Sequence, residues 1–312
     1  MLEGRYALIL GGDSEVGGAV ARLYAKHGAK IAVAVAANGV SHGGHESNGT
    51  GESFERPELN ETSESRRTHE SSCQLESSKI HASCDSCESF ASLTADIPGC
   101  LIFETPMAPV AMSDLCDAVL RAFPYVDILV GATNAYGFGA TIDFPVSNLI
   151  SMLETNLGCA VKCLRHLLPG MLNLRRGDIV LLAPDFASVG LPHADVADMP
   201  CDYAGIPHAA AAAAACAGAI ASFVRNVSMD YVRYRVRANT IAYPYAGIYA
   251  GPDNVVAASN AAGAPDTIAT AANAALWFAC DMSRYVIGET LRVKSSISCA
   301  PGETMHVNGS VS

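Results

Sequence analysis

Basic residues are scarce in this chain. Its 312 residues include 20 Lys and Arg against 31 Asp and Glu, which gives a formal net charge of −11. No run of Lys and Arg carries interleaved aromatic residues, although surfaces that bind nucleic acid depend on such basic patches. The charge balance therefore makes nucleic acid an unexpected partner, and an anionic membrane surface is equally unpromising.

The chain also lacks a long hydrophobic run and a leader-like amino terminus. Its longest uncharged apolar run, residues 209–224, is too short and too rich in alanine to predict a membrane span. No basic segment with a small-residue cleavage site opens the chain, so we expect no signal peptide. The 11 cysteines are scattered, mostly in apolar segments, which favours buried thiols in a reducing compartment over disulfides. We expect a cytoplasmic protein.

Alternating strands and helices are the main pattern of the sequence. Tyr6–Leu10 is a continuous apolar run, typical of a strand covered on both faces. Ala19–His27 has helical spacing, and Ile31–Ala36 predicts a second strand. The alternation returns after residue 100 and continues to Val293. It predicts an α/β fold, a doubly wound parallel sheet of the Rossmann type in a single domain.

Two predictions concern the ends of helices that follow residue 100. Ser113 is the expected N-cap of the helix that ends near Phe123. A later helix begins near Ser147, and we expect Pro169 and Gly170 to interrupt it.

Residues 38–98 interrupt the alternation. This stretch is rich in Ser, Glu, His, Gly and Thr and poor in aliphatic residues, so it cannot bury enough surface to offset its ordering entropy. We predict a low-complexity, disordered insertion here and a flexible tail at residues 297–312. The insertion contains side chains of the types that bind zinc, namely His69, Cys73, His81, Cys84 and Cys87. Because no second Cys-x-x-Cys pair accompanies them, we expect no metal site.

The turn after the first strand, residues 11–18 (GGDSEVGG), is the first motif with a chemical meaning. Such a turn brings backbone N–H groups and a helix N-terminus close to a pyrophosphate. It resembles the turn of the short-chain dehydrogenase/reductase family, Thr-Gly-x-x-x-Gly-x-Gly. The resemblance implies that NAD or NADP binds here, and an inherited turn that binds nothing is the alternative. The residues it places at the cofactor are Gly12, Ser14, Glu15, Val16 and Gly18.

Two more residues are assigned to the cofactor by this resemblance. Glu104, after the third strand, replaces the acidic residue that the family keeps near the adenine. Asn134, after the fourth strand, is a displaced member of the family's Asn-Asn-Ala-Gly loop. An ordinary surface carboxylate and a turn residue are the respective alternatives. The second strand ends without the acidic or basic residue that separates NAD from NADP, so that choice stays open.

The family's catalytic residues are only partly present. Asn156 matches the helix-borne asparagine that keeps a catalytic water chain in place. Pro184 occupies the position of the family's serine. The adjacent Asp185, at the carboxyl end of a central strand, is a candidate general acid or base, and a loop-capping aspartate is the alternative. Ser188 is a weaker hydroxyl candidate.

The family's tyrosine and lysine are missing, because residues 209–215 are all alanine. Counting back from the following strand places the tyrosine near Ala212 or Ala213 and the lysine near Cys216 or Ala217. A structural role is the alternative explanation for the alanines, namely tight packing of the helix within the fold or across a subunit interface.

Two residues that flank this helix start are candidate replacements for the missing tyrosine. Tyr203 would need a loop that folds back, and His208 lies more than a turn too early. We include Tyr203 with Asp185 and Asn156 among the candidate catalytic residues.

Two functions are consistent with these patterns. The first is an NAD(P)(H)-binding enzyme with an altered active site that acts on a small, mostly apolar molecule. It would reduce an activated C=N or C=O bond, or act as a cyclase or lyase that uses Asp185. The second is an inactive relative that serves as a binding or regulatory subunit. The resemblance also implies a homodimer or homotetramer formed through the Asn156 helix and the alanine-rich helix.

Overall fold

The computed structural model describes residues 1–37, 93–137, 141–142, 144–185, 210–243, 249–251, 254–256 and 265–293. The strands are β1 (Tyr6–Leu10), β2 (Lys30–Ala36), β3 (Leu101–Thr105), β4 (Ile128–Gly131), β5 (Gly177–Pro184), β6 (Val236–Tyr243), β7 (Tyr249–Gly251), β8 (Asn254–Val256) and β9 (Thr290–Arg292). The helices are α1 (Glu15–Lys26), α2 (Met112–Ala122), α3 (Val146–Leu153), α4 (Cys159–Leu174), α5 (Ala211–Tyr231) and α6 (Pro265–Ala279). A π-helical turn, Glu154–Gly158, joins α3 to α4.

Seven strands form one parallel sheet in the order β3-β2-β1-β4-β5-β6-β9. Strands β7 and β8 form a separate antiparallel pair. The chain winds outward from β1 to β3 and then crosses back to β4, so the strand order reverses between β1 and β4. Doubly wound sheets bind their ligands at this reversal, outside the carboxyl ends of the strands. The predicted fold class is confirmed.

Two helical layers cover the sheet, one on each face. Successive side chains of a strand point to opposite faces. In β1, Ile9 packs in the layer that α1 and α6 cover, while Leu8 packs in the layer that α2, α4 and α5 cover. This double coverage explains why β1 is apolar throughout instead of alternating with polar residues.

Helix α5 and the turn after it, Ala211–Tyr234, are long and apolar enough to cross a membrane. Length and composition alone therefore do not exclude a membrane span for this helix. The helix packs instead along the sheet, where Cys216, Ile220 and Val224 are buried with residues of β5 and β6. Its apolar character is that of a helix in a protein core.

Helix α4 corrects one sequence prediction, because it passes through Pro169 and ends at Leu174. Pro169 is exposed, whereas Leu167 and Met171 on either side of it are buried. Packing of this apolar face holds the helix together across the lost hydrogen bond. The N-cap prediction for Ser113 was also wrong, since α2 begins at Met112 directly after a 3-10 turn.

The carboxyl end of the predicted insertion is a third correction. Residues 93–96 form a helical turn, and Leu93 and Ile97 are 1% and 4% exposed, buried with residues of α1. Two apolar side chains four residues apart are sufficient to dock this turn, so the folded part resumes by residue 93. The rest of the predicted insertion, residues 38–92, and the predicted tail lie outside the described residues.

Buried charges meet at the amino-terminal edge of the sheet. Arg5, just before β1, pairs with Asp127 through Nε and Oδ2 at 2.5 Å and with Asp178 through Nη2 and Oδ2 at 2.6 Å. Arg237 of β6 reaches the other oxygen of Asp178 at 2.5 Å. Burial raises the pKa of the Asp178 carboxyl, and Arg237 and Arg5 oppose that rise. We call Arg5, Asp127, Asp178 and Arg237 the amino-edge ion cluster.

Replacing Asp178 tests how far the fold depends on this cluster. Asp178→Asn leaves Arg237 without its buried counter-charge and Arg5 with Asp127 alone, and we expect a loss of about 3–5 kcal/mol in the free energy of unfolding. Arg176→Gln is the matched control, because Arg176 also contacts Asp127 but its side chain is 44% exposed, and its loss should be about 0–1 kcal/mol. Urea unfolding measures both. Equal losses for the two variants would contradict the prediction.

The buried cysteines bear out the expectation of free thiols in the core. Cys116, Cys159, Cys163, Cys216 and Cys280 are all free and buried. Burial, with a smaller contribution from the Glu154 carboxylate, raises the pKa of the Cys159 thiol from 9.0 to about 12.

The raised pKa of Cys159 predicts a pH-dependent stability. The folded thiol stays neutral while the unfolded one ionises, so its contribution is full below about pH 9 and is lost as the pH rises towards 12. Cys159→Ala should therefore flatten the fall in unfolding free energy by about 1 kcal/mol per pH unit above pH ~9. Urea unfolding at several alkaline pH values measures the two slopes, from which any constant cavity cost cancels. If the unfolding free energies of the wild type and of Cys159→Ala fell with pH at the same slope, the prediction would be wrong.

Candidate functional site

The glycine turn after β1 lies against the end of β2. The N–H groups of Gly11 and Gly12 both donate to the carbonyl of Ala34, at 3.0 and 3.1 Å. A Cβ on Gly12 would lie 1.9 Å from Cγ1 of the buried Val33. Only glycine therefore allows this close approach of the turn to the strand.

The same turn is attached to the loop that follows β4. Ser14 is the N-cap of α1, where its Oγ accepts the Gly17 N–H at 3.0 Å. The hydroxyl lies 2.7 Å from the carbonyl oxygen of Gly11 and 2.9 Å from that of Ala132. Gly11, at φ +75, has the backbone of Thr133 so close that a Cβ would lie 2.7 Å from its nitrogen. Ser14 thus caps the helix and ties β1 to β4, while its contact with a cofactor stays a prediction.

The start of α1 offers backbone donors. Within the described part of the chain, the N–H groups of Asp13, Glu15 and Val16 donate to no acceptor. Unpaired N–H groups at a helix N-terminus are suited to hold phosphate oxygens. The side chain of Val16 is buried in the core, whereas those of Asp13 and Glu15 are exposed. Gly18 is buried in the first turn of α1, and a Cβ at this position would lie 3.2 Å from Nη1 of Arg22.

Asn156 lies in the π-helical turn and is 4% exposed. Its Oδ1 accepts the N–H of Ala135 at 3.0 Å, and its Nδ2 donates to the carbonyl of the same residue at 2.6 Å. Nδ2 also lies 3.8 Å from Sγ of Cys216, whose thiol donates to the carbonyl of Met152 at 3.6 Å. The amide therefore fixes the loop after β4 and contacts α5 at Cys216. Single π turns of this kind are frequent at functional sites.

The other two predicted cofactor residues lie at different strand ends. Asn134 belongs to the loop that Asn156 holds, and its buried Oδ1 has no hydrogen-bond partner among the described residues. Glu104 is exposed near the end of β3, opposite Val35 of β2. The structure thus brings Asn134 to the β1–β4 crevice and leaves Glu104 at the outer side of β2.

Asp185 is 3% exposed at the end of β5, and its carboxylate is paired with Arg292 of β9. Nε of Arg292 lies 3.1 Å from Oδ1 and 2.8 Å from Oδ2, and Nη2 lies 2.6 Å from Oδ2. The N–H of Asp185 donates to the carbonyl of Tyr243 at 2.9 Å. Asp185 is therefore not the lone carboxyl that its position suggested, and acid–base work would require the ion pair to open. Sequence reasoning missed Arg292 because no motif marks it.

Several sequence candidates cannot be placed. Tyr203, His208 and Ser188 lie outside the described residues, and so do the cysteines and histidines considered for zinc. Within the described ranges, no three His, Cys, Asp or Glu side chains are grouped so that they could hold a metal ion.

Comparisons with known proteins agree with this geometry. A chain described as a short chain dehydrogenase/reductase family protein is 21% identical, with a TM-score of 0.61 over 94% of this chain and 96% of that chain. A short-chain type dehydrogenase/reductase from Mycobacterium marinum is 16% identical, with a TM-score of 0.64 over 96% of each chain. At these identities the likeness concerns the fold. Comparison with curated proteins finds no match.

A family model adds evidence from the sequence itself. The model described as enoyl-(acyl carrier protein) reductase matches residues 107–295, more than half of the chain. That range includes the loop after β4, the π-helical turn and the last strand of the sheet. The chain therefore belongs to this family, within the short-chain dehydrogenase/reductase superfamily.

Proposed function

We propose that the chain is an NAD(P)(H)-dependent reductase that acts on a small, mostly apolar molecule. One observation carries the proposal: the loop after β4 is held from both sides. Ser14 of the glycine turn contacts the carbonyl of Ala132 at 2.9 Å, and Asn156 binds both backbone groups of Ala135. The cradle for a dinucleotide and the family's catalytic asparagine thus converge at the reversal of strand order, where such sheets bind ligands.

The residues of the crevice fit a dinucleotide. Gly12 removes the side chain that would block the turn, and the free N–H groups of Asp13, Glu15 and Val16 are donors for phosphate oxygens. Oδ1 of Asn134, which has no partner within the part of the chain that the structure describes, is an acceptor for a cofactor or substrate N–H or O–H group. When bound, the nicotinamide would supply the hydride.

The catalytic side of the crevice is proposed to lack the family's tyrosine and lysine. The contact of Asn156 with Cys216 supports Cys216 as the lysine position, and Ala212, one helical turn earlier, as the tyrosine position. The methyl group of Ala212 cannot donate a proton. The Cys216 thiol is a weak donor, because burial raises its pKa. This favours a substrate with an activated C=N or C=O bond. An iminium carbon that accepts a hydride becomes a neutral amine without taking up a proton.

The pairing of Asp185 with Arg292 favours a second candidate function. If this carboxylate is only structural, the described residues of the crevice offer no charged acid or base from β5, and the chain is an inactive binding or regulatory subunit. A cyclase or lyase that uses Asp185 requires the opposite, a pair that opens when substrate binds.

We also propose that the chain forms a homodimer or homotetramer. Helix α3, which leads into the Asn156 turn, leaves Val146 and Ile150 exposed at 70% and 51%. These two side chains lie four residues apart on one face of the helix, a spacing that suits packing against another helix.

Cofactor binding tests the main proposal. Isothermal titration with NADH and NADPH should give saturable binding of at least one of them. Gly12→Ala should weaken that binding by about tenfold or more, because the new Cβ overlaps Val33 and displaces the turn. Gly170→Ala is the matched control, since a Cβ there meets nothing within 4 Å. Absence of binding to either nucleotide would reject the proposed reductase and leave the inactive subunit.

A pair of variants decides the role of Asp185. If the ion pair is structural, Asp185→Asn and Arg292→Gln should each lower the unfolding free energy by about 1–2 kcal/mol, a discounted value because the Arg292 side chain is 38% exposed. The two variants should also change the rate at which the protein reduces a small cyclic imine by the same factor. If Asp185 instead supplies charge to a cationic substrate, only Asp185→Asn should abolish turnover, and Arg292→Gln should preserve or raise it. Urea unfolding and nicotinamide absorbance measure the two effects.

A further inference from the structure

We propose that the amino-terminal edge of the sheet binds an acidic segment of a partner protein. The site consists of four arginines in the loops that lead into β5 and β6. We call Arg175, Arg176, Arg233 and Arg235 the arginine patch. Because the crevice lies at the carboxyl ends of the strands, the patch is a second site at the other end of the sheet, and it does not depend on the proposed reductase.

The two loops of the arginine patch lie next to each other. Strands β5 and β6 are adjacent and parallel, so the residues that precede them meet at the same edge. Nη2 of Arg175 donates to the carbonyl of Arg233 at 2.9 Å, which joins the loops directly. The guanidinium of Arg176 lies over the ring of Tyr125, 5.7 Å from its centroid. These contacts collect the arginines on one small surface.

Two of these arginines occupy backbone positions that glycine usually takes. Arg175 ends α4 at φ +49, and Arg235 ends the 3-10 turn before β6 at φ +61. Within the described ranges they are the two residues other than glycine that have a positive φ. A Cβ in this left-handed region costs free energy that glycine would avoid. The presence of arginine at both points indicates that the side chain itself has a use.

Most of the patch has no counter-charge in the described part of the protein. Arg176 pairs with the buried Asp127. Arg175, Arg233 and Arg235 are exposed, and they form no ion pair with the carboxylates that the structure describes. Acidic side chains are in excess in this chain, with 31 Asp and Glu against 20 Lys and Arg. The patch is therefore a local positive charge on an acidic molecule, and such a charge attracts an acidic partner.

The net charge of the chain favours a compact acidic segment over a nucleic acid. A duplex carries one charge per about 1.7 Å of its axis, so it would extend past the patch over a protein whose formal net charge is −11. Glu3 and Asp230, both exposed at this edge, would add to the repulsion. A short run of Asp and Glu can contact the patch alone, and a guanidinium group binds a carboxylate through two parallel hydrogen bonds.

The test is fluorescence anisotropy of a labelled oligoglutamate peptide, titrated with the full chain at low ionic strength. The wild type should bind the peptide saturably, and added salt should weaken the binding because the arginines are exposed. The double variant Arg175→Gly, Arg235→Gly should bind on the order of tenfold more weakly, since two charged contacts are lost. The matched control is Arg165→Gln, Arg225→Gln, which removes two charges from exposed positions inside α4 and α5. Its affinity should stay within about twofold of the wild type.

Each outcome supports or overturns the arginine patch as a site for an acidic segment. No binding of the peptide by the wild type would overturn it, and so would an equal loss of affinity in the control, which would show a response to net charge alone. Tighter binding of a single-stranded oligonucleotide of equal charge, or of anionic phospholipid vesicles, would also overturn it and identify another class of partner.

Melting temperatures show whether the variants are folded. The glycine variant should melt close to the wild type, because relief of the left-handed strain offsets the greater freedom of glycine in the unfolded chain. If that protein is unstable, Arg175→Asn, Arg235→Asn replaces it, since asparagine also tolerates the left-handed region. The same loss of affinity for the oligoglutamate peptide is expected, and wild-type affinity in this folded variant would overturn the proposal.

Discussion

Two aspartates and two arginines, buried together at the amino-terminal edge of the sheet, constrain how β1, β4, β5 and β6 lie side by side. A buried charge without its partner costs several kcal/mol, and a slip of one residue in any of these strands would turn its side chains to the other face. The carboxylate of Asp178 is shared between Arg5 and Arg237, so the two halves of the sheet are joined at one residue. The ion pairs thereby fix how these four strands are aligned along their axes.

The positions of the carboxyl-terminal strand ends follow from this alignment of the amino-terminal ends. Since the strands are rigid and of known length, fixing their amino ends also fixes where the loops after β1 and β4 begin. There, Gly11 and Gly12 let the turn rest directly on Val33 and the backbone of Thr133, and Asn156 holds Ala135 by both of its backbone groups. The crevice is therefore built from backbone contacts to strand ends, which position a ligand more exactly than free loops would.

The sequence predicted those parts of the molecule whose structure follows from local pattern. Continuous apolar runs identified β1 and β2, and the glycine turn between them was found from spacing alone. Asn156 was found because its surroundings resemble a known motif, and the structure places it against Ala135 in the loop after β4. What failed depended on packing between distant segments. Pro169 stays helical because Leu167 and Met171 are buried on either side of it, and Leu93 and Ile97 fold a stretch whose composition alone suggests disorder.

The ion pair of Asp185 and Arg292 could not be predicted from the sequence either, because 107 residues separate the two partners. The pair is neutral as a whole, and the described side chains around the loop after β4 are uncharged, among them Thr133, Asn134 and Asn156. Asp185 is almost fully buried, whereas the Arg292 side chain is 38% exposed, so the arginine is the more accessible partner of the pair. If Asp185 faces the substrate, as we propose, the charge that it offers depends on the position of Arg292, and a cationic substrate would be held favourably only when the arginine moves away from the carboxylate.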